Sequence, residues 1–351
     1  MSKIAQRLRQ QAVQCTTYGS PLTGALLEGA AADYQAGGVM RHLLDPHADE
    51  PSGSVLSLRL AGAMHRLVLE RKAPELALHY PSVGGTAPVQ DLWPAAERAC
   101  REHLDELREL VSRPVQTNEV GRSAALYGAL LMIGGPIRLL EIGASAGLNL
   151  RCDAYAYPLV PGMTYGDRHS ALRLVEPWTG TFKPAPTSPE IVQRTGCDPR
   201  PIDPSTVDGR LTLTSYVWAD QLDRLERLRA AIKIARRIPA PLRQAGALDF
   251  LTWELSELPA DTTTVVWHSL AWQYIDPAER AAVNDVLSAA GARATDTSRL
   301  ARVSLEPHRV GTGDTAFQVR VQTWPGGARV HVADAHGHGP PVRWLGASLN
   351  T

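Results

Sequence analysis

The sequence predicts an α/β protein in two parts. A helical N-terminal cap covers residues 1–115, and an open sheet over 116–351 ends in an antiparallel hairpin. Three observations predict this. The region before about residue 115 carries apolar residues at helical spacing and no strand alternation. Two short apolar runs, 137–142 and 263–268, are bounded by turn formers as buried parallel strands are. Residues 317–323 alternate apolar and polar at period two.

Each element follows from its residues. Cys100, Leu104, Leu107 and Val111 make one helical stripe, preceded by a turn-rich loop over 80–86. The run Ile137-Arg138-Leu139-Leu140-Glu141-Ile142 reads as a strand that ends in Gly143-Ala144-Ser145-Ala146-Gly147, with a helix expected to start next. A Pro-rich insertion occupies 177–204, and a helix over 220–235 presents Leu222, Leu225, Leu228 and Ile232. After the strand 263–268, Asp276, Pro277 and Glu279 predict a helix start with a capping box, and Gly291 predicts its end. Phe317, Val319 and Val321 form the first hairpin strand, Pro325-Gly326-Gly327 the turn, and Val330 and Val332 the return.

Composition excludes several classes. Hydrophobic residues make up 44% of the 351, enough for a core, so intrinsic disorder is excluded. Cations and anions cancel at 36 each, and no Lys/Arg-rich run offers a patch for nucleic acid or an anionic membrane. The uncharged stretch 123–137 is 15 residues long, short of the roughly 20 a membrane helix needs. The polar start, Met1-Ser2-Lys3-Ile4-Ala5-Gln6-Arg7, lacks the apolar segment of a secretory leader. Cys15, Cys100, Cys152 and Cys197 show no disulfide-framework, zinc or redox spacing, so reduced thiols in the cytoplasm are expected. His331, His336 and His338 cluster near the C-terminus, but no spacing fixes a geometry, and no metal is expected.

The glycine loop has two readings. Its small residues let a ligand approach the main chain, and a helix start behind it would offer N–H groups. Glu141-x-Gly143-x-x-x-Gly147 resembles the first motif of class I S-adenosylmethionine-dependent methyltransferases, with Ser145 where a middle glycine is common. The same residues match Gly-x-Ser-x-Gly, the nucleophile elbow of α/β-hydrolases. A hydrolase would use Ser145 with Asp249 and then His308 or His336. It would leave Glu141 without a role, and no His-Gly-Gly oxyanion segment precedes it.

Several blocks extend the resemblance. Gln116-Thr117-Asn118-Glu119-Val120-Gly121-Arg122, the run 139–150, Arg194-Thr195-Gly196-Cys197-Asp198, Tyr216-Val217-Trp218-Ala219-Asp220-Gln221, 266–274 and Thr323-Trp324-Pro325-Gly326-Gly327 are similar to the bacterial domain-of-unknown-function family 2332. The resemblance covers nearly the whole chain. It implies a Rossmann-like, methyltransferase-type sheet behind the helical region and names no substrate.

The resemblance also implies roles. Glu141, Gly143, Ser145, Gly147 and Asn149 would hold S-adenosylmethionine. Asn118, Glu119 and Arg122, on the approach to the strand, would reach its carboxylate or the cap interface, with a solvated helix start as the plainer reading. Asp198 would bind the ribose hydroxyls, and the insertion holding Tyr155, Tyr157 and Trp178 would loop out over the site. Asp249 would approach the adenine. His268 would serve as a base toward the methyl acceptor, with Trp272 and Tyr274 walling the substrate or the sulfonium. Blander roles stand beside these: a turn residue for Asp198, a helix N-cap for Asp249, a buried satisfied imidazole for His268, and core aromatics for Trp272 and Tyr274. The expected activity is methyl transfer to a small molecule. The rivals are the Ser145 hydrolase and a binding protein without turnover.

Overall fold

A computed structural model describes residues 2–160, 162–310 and 314–349. The chain divides into two compact units, one of residues 1–117 and 205–226, the other of 118–204 and 227–351. The segment 205–226 thus returns from within the region read from the sequence as one domain.

The first unit is helical. Helices Lys3–Thr17, Pro21–Ala36 and Leu56–Leu69 surround a core that includes Leu8, Leu27, Leu43, Met64 and Val111. The predicted stripe over 100–111 spans two helices, Leu92–Glu102 and Leu104–Ser112, because His103 departs from helical geometry between them. Cys100, Leu107 and Val111 are nevertheless buried together. The returning segment is tied in by polar contacts. Asp220 accepts hydrogen bonds from Ser20 Oγ at 2.5 Å and Leu22 N at 2.9 Å, completing the cap of helix Pro21–Ala36. His65 lies between the carbonyls of Ser215 and Val217, and burial pushes its pKa down to about 4, so it is neutral.

The second unit is built on a mostly parallel sheet. Its strands are β1 (Gly135–Ile142), β2 (Ala156–Val160), β3 (Met163–Gly166), β4 (Trp178–Thr181), β5 (Pro189–Asp198), β6 (Leu242–Gln244), β7 (Thr262–Ser269), β8 (Ser298–Val310), β9 (Asp314–Trp324), β10 (Arg329–His336) and β11 (Gly339–Leu345). Nine of these make one sheet, in the order β4-β11-β10-β9-β8-β7-β1-β5-β6, and β2 pairs with β3 apart from it. The five strands β6, β5, β1, β7 and β8 are parallel. Numbered along the chain they run 3-2-1-4-5, the Rossmann order, so the topological switch point falls between β1 and β7. The predicted hairpin is β9 and β10, extended by antiparallel pairing with β8 and β11.

Face assignment follows from register. Leu140 and Ile142 of β1 and Val266 of β7 pack with Phe250, Leu251, Val283 and Leu287 from helices Ala247–Glu254 and Pro277–Arg293. Leu139 and Glu141 point to the other face. Glu141 is opposite Trp267, and Leu139 is opposite Val265.

Four expectations are corrected here. The glycine loop leads into a 3-10 helix, Leu148–Ala154, kinked at Arg151, instead of an α-helix. Asp276 does cap helix Pro277–Arg293, but Glu279 accepts from Leu248 N of the neighbouring helix. Gly291 lies inside the helix, where a Cβ would come within 2.4 Å of the Trp324 ring. Finally, Tyr155, Tyr157 and Trp178 do not loop out. All three are buried, and Tyr127, Tyr157 and Trp178 stack with centroids 4.7 and 5.5 Å apart.

Candidate functional site

Open α/β sheets bind ligands beyond the carboxyl ends of their strands, at the switch point. The loop 143–147 stands there. Gly143, Ser145 and Gly147 all have positive φ, at 67°, 52° and 64°. For the two glycines this costs little, but Ser145 carries a Cβ and is strained there. Across the switch point Leu270, just after β7, also has a positive φ of 49°. Gly143 is solvent-exposed, whereas residues 144–150 are buried.

The loop is held by its own polar partners. Ala144 N donates to Cys197 O at 2.9 Å, and Ser145 N donates to Asp198 Oδ2 at 2.9 Å. Gly147 N donates to Ala144 O at 2.7 Å, and Leu148 N to Asn118 Oδ1 at 2.8 Å. Arg151, 4% exposed, donates to Gly147 O at 2.6 Å. Asp198 and Asn118 are therefore brought to the loop, 53 and 30 residues away from their partners. Their contacts are with main-chain N–H groups. Asp198 also receives Arg200 N at 2.8 Å, which is the turn role read beside the ribose role.

Glu141 is the exceptional group. It is 2% exposed, and its Oε2 has no hydrogen-bond partner. Burial pushes its carboxyl up to about 8, against the pull of the Trp267 indole and of Arg151. The Trp267 N–H turns to the same face but closes no hydrogen bond. Asn149, 1% exposed, donates to Glu119 O at 3.4 Å and keeps an unpartnered Oδ1. Buried polar atoms are normally satisfied, so this group of orphans around the end of β1 calls for an explanation.

His268 lies elsewhere. It alternates with Trp267 along β7, so it projects to the face opposite Glu141. Its Nδ1 meets Glu306 Oε1 at 2.7 Å, and its Nε2 receives Arg302 Nε at 3.1 Å and Nη2 at 3.0 Å. Arg302 can only donate, so Nε2 accepts and the Nδ1–H donates to Glu306. With 1% exposure and both nitrogens engaged, the imidazole has no lone pair for an acceptor. Burial holds its pKa below the usual range. The imidazole is thus buried and satisfied, the plainer reading given beside the base role, with Glu306 and Arg302 as its partners.

The aromatic wall changes as well. Trp272 stacks on His268 at 4.9 Å and carries the Arg302 guanidinium 4.2 Å from its ring centroid. A ring already holding one cation is poorly placed to attract a sulfonium. Tyr274 is 55% exposed. Asp249 is exposed at the third position of helix Ala247–Glu254, whose N-cap is Gly246, so it is neither the cap nor part of a relay. It hydrogen-bonds neither His308 nor His336, and neither of these nor His268 meets Ser145 among the described residues.

The sequence reading missed Arg302 and Glu306. Their signal was present: Arg302, Ser304 and Glu306 alternate with Val303 and Leu305 at strand period. Glu306 Oε1 accepts, besides His268, the N–H groups of Ala271 and Trp272, each at 3.2 Å, and so fixes the loop after β7. That loop abuts the glycine loop, since a Cβ on Gly143 would meet Ala271 Cβ at 2.7 Å.

Among the described residues no group of three or more His, Cys, Asp or Glu could hold a metal. His331 is engaged with Asp334 at 2.8 Å. No described helix is long and apolar enough to cross a membrane. No curated protein matches the chain. The profile of the family described as uncharacterized protein conserved in bacteria, DUF2332, matches residues 5–344, and the chain belongs to that family.

Proposed function

We propose that the chain is an S-adenosylmethionine-dependent methyltransferase acting on a small molecule in the cytoplasm. The observation that carries this reading is the Glu141 carboxyl, buried with an orphaned oxygen beside exposed Gly143 at the switch point. A buried carboxylate calls for a cation, and the amino-acid end of the cofactor offers an ammonium. The residues present therefore fit the group. When bound, its sulfonium supplies an activated methyl.

The chain's own residues supply place and dryness. Exposed Gly143 leaves main chain for an adenosyl compound to lie against. Asp198 and Asn118 take up the Ser145 and Leu148 N–H groups, so these donors are withdrawn from any ligand. That favours a cationic or neutral group there over a phosphate, which would need such N–H groups free. Alignment and exclusion of water can together be worth ~7–11 kcal/mol. His268 steadies the loop 269–274 from behind. Four free, buried thiols accord with a reducing compartment.

One observation favours a second reading. Ser145 has the strained geometry of a nucleophile elbow, though its side chain is 4% exposed. A fluorophosphonate probe that labels Ser145 would establish the hydrolase and displace the methyltransferase. The direct test is calorimetry with S-adenosylmethionine. Binding that weakens at least tenfold in E141Q supports the proposal, and no heat at millimolar ligand with folded protein refutes it. Binding with no S-adenosylhomocysteine formed, across a panel of acceptors, would leave a binding protein on this fold.

A further inference from the structure

The strands β8, β9 and β10 carry a polar grid on the face shared with His268. Cross-strand register sets its rows. Arg302, Gln322 and Arg329 are opposite one another, and Ser304, Arg320 and His331 form the next row. Glu306, Gln318 and Asp334 form the third, kept in phase by a bulge between His331 and Ala333. His308 follows on β8. The opposite face, with Val303, Leu305, Val319 and Val321, is fully buried.

A polar outer face is ordinary for an antiparallel sheet. Its charge pairing here is not. Arg302, Arg320 and Arg329 have no carboxylate within salt-bridge distance among the described residues, although two acids stand in the grid. Glu306 Oε1 is taken by His268 and the main chain of 271–272 while its buried Oε2 has no hydrogen-bond partner, and Asp334 is taken by His331 and Arg343. Arg302 is 6% exposed and bonds only to His268 and Asn284.

The other two arginines lean the same way. Arg329 reaches one row toward the carboxyl end to Ser304 Oγ at 3.3 Å, and Arg320 does the same to Gln318 Oε1 at 2.7 Å. Most of their five donors each stay unclaimed. Burial with the field of Arg329 lowers Arg302 to about 10. His308 Nε2, one row beyond Glu306, is buried and unpartnered, within the field of both Arg320 and Arg329. This is the carboxyl edge of the parallel sheet, where ligands bind, on the face away from Glu141.

We propose that this face binds a small-molecule oxyanion, a carboxylate or a phosphate, between Arg320 and Arg329, with His308 Nε2 as a third donor. Two guanidiniums suit such a group because their forks match its paired oxygens. The site does not depend on the reading of the glycine loop, and a ligand could occupy either one alone.

The test is calorimetry on the full chain with potassium phosphate and with potassium malonate, against potassium chloride of equal ionic strength. The expected result is saturable binding of phosphate, malonate or both. Phosphate alone assigns a phosphorylated ligand, malonate alone a carboxylic acid, and both the shared oxyanion chemistry. R320Q and R329Q should each weaken binding roughly ten- to hundredfold, the worth of a charge-assisted hydrogen bond, while R108Q, at an exposed pair in the other unit, leaves it unchanged. Circular dichroism confirms that each variant is folded. No binding beyond the chloride control overturns the proposal, as does binding that survives both R320Q and R329Q.

Discussion

Asp198 Oδ2 accepts the main-chain N–H of Ser145 at 2.9 Å, and Oδ1 of the same carboxylate accepts Arg200 N at 2.8 Å. One side chain at the end of β5 thus fastens two segments, the loop after β1 and its own turn. Only an acceptor at both oxygens can do this. In D198N the amide NH2 must face one of the two N–H donors, leaving it unsatisfied in a site where Asp198 is 8% exposed. The expected loss is about 1–3 kcal/mol of stability, read from urea denaturation. Binding of S-adenosylmethionine should weaken with it, because Ser145 loses the bond that holds its positive φ. D198N with unchanged stability would mean that the loop holds its shape without this clamp.

Glu141 predicts two pH effects. Burial pushes its carboxyl up to about 8 in the fold, from about 4.5 for a solvated glutamate. Between these the unfolded chain has released the proton and the folded chain keeps it, so stability falls as pH rises from about 4.5 to about 8. The stabilising share is complete below 4.5 and gone above 8. E141Q, which cannot ionise, should lack this slope and exceed the wild type at pH 9 by a few kcal/mol, an order-of-magnitude figure. At pH 4.5 the two should be nearly equal. Denaturation at the two pH values checks this, and parallel curves would refute a raised pKa. A cationic ligand has to displace the proton, so binding at pH 6–7 should release up to one proton and tighten with pH until about 8. Calorimetry in buffers of different ionisation heat measures that release.

The parts of this molecule that were legible in the sequence are local. Glu141, Gly143 and Gly147 lie within seven consecutive residues, and the apolar run before them identifies a buried strand without outside help. Asp276 and its N-cap were legible for the same reason. Glu279 was not, since its partner Leu248 belongs to a different helix 31 residues away. His268 looked like a base because a histidine at a strand end is well placed for one. Its neutralising partners come from β8, 34 and 38 residues later, and only register brings them to its face. Tyr157 and Trp178 read as an insertion that loops out, because nothing in their spacing reveals a stack on Tyr127. Propensity and motif see one segment at a time, and the pairing of distant strands decides the rest.

Glu306 predicts a defect in one loop. Its Oε1 accepts from His268 Nδ1 and from the N–H groups of Ala271 and Trp272. E306Q keeps the size and can place its NH2 where the unpartnered Oε2 stands, but it offers the three donors an oxygen with less charge. Weakening these buried hydrogen bonds in this way costs about 1–3 kcal/mol. Hydrogen exchange should rise in 270–275 more than in β1. H268Q should produce the same local loosening through the same network, and any methyl transfer it retains should keep the wild-type pH profile. A pH profile that loses a limb in H268Q would restore the imidazole as a catalytic base.

Gly143 tests whether the two loops at the switch point close on one another. A Cβ there would stand 2.7 Å from Ala271 Cβ, and the backbone φ of 67° disfavours any side chain. G143A should therefore cost about 1–2 kcal/mol for the left-handed backbone alone, with a further loss from the clash. A271G removes the clash but not the backbone strain. The double variant G143A/A271G should recover the clash share of the stability and stay below A271G by the backbone share. A double-mutant cycle by denaturation gives the coupling directly. Coupling near zero would mean that the loop carrying Ala271 moves aside freely, and that Glu306 does not fix it against the glycine loop as the hydrogen bonds to residues 271 and 272 require.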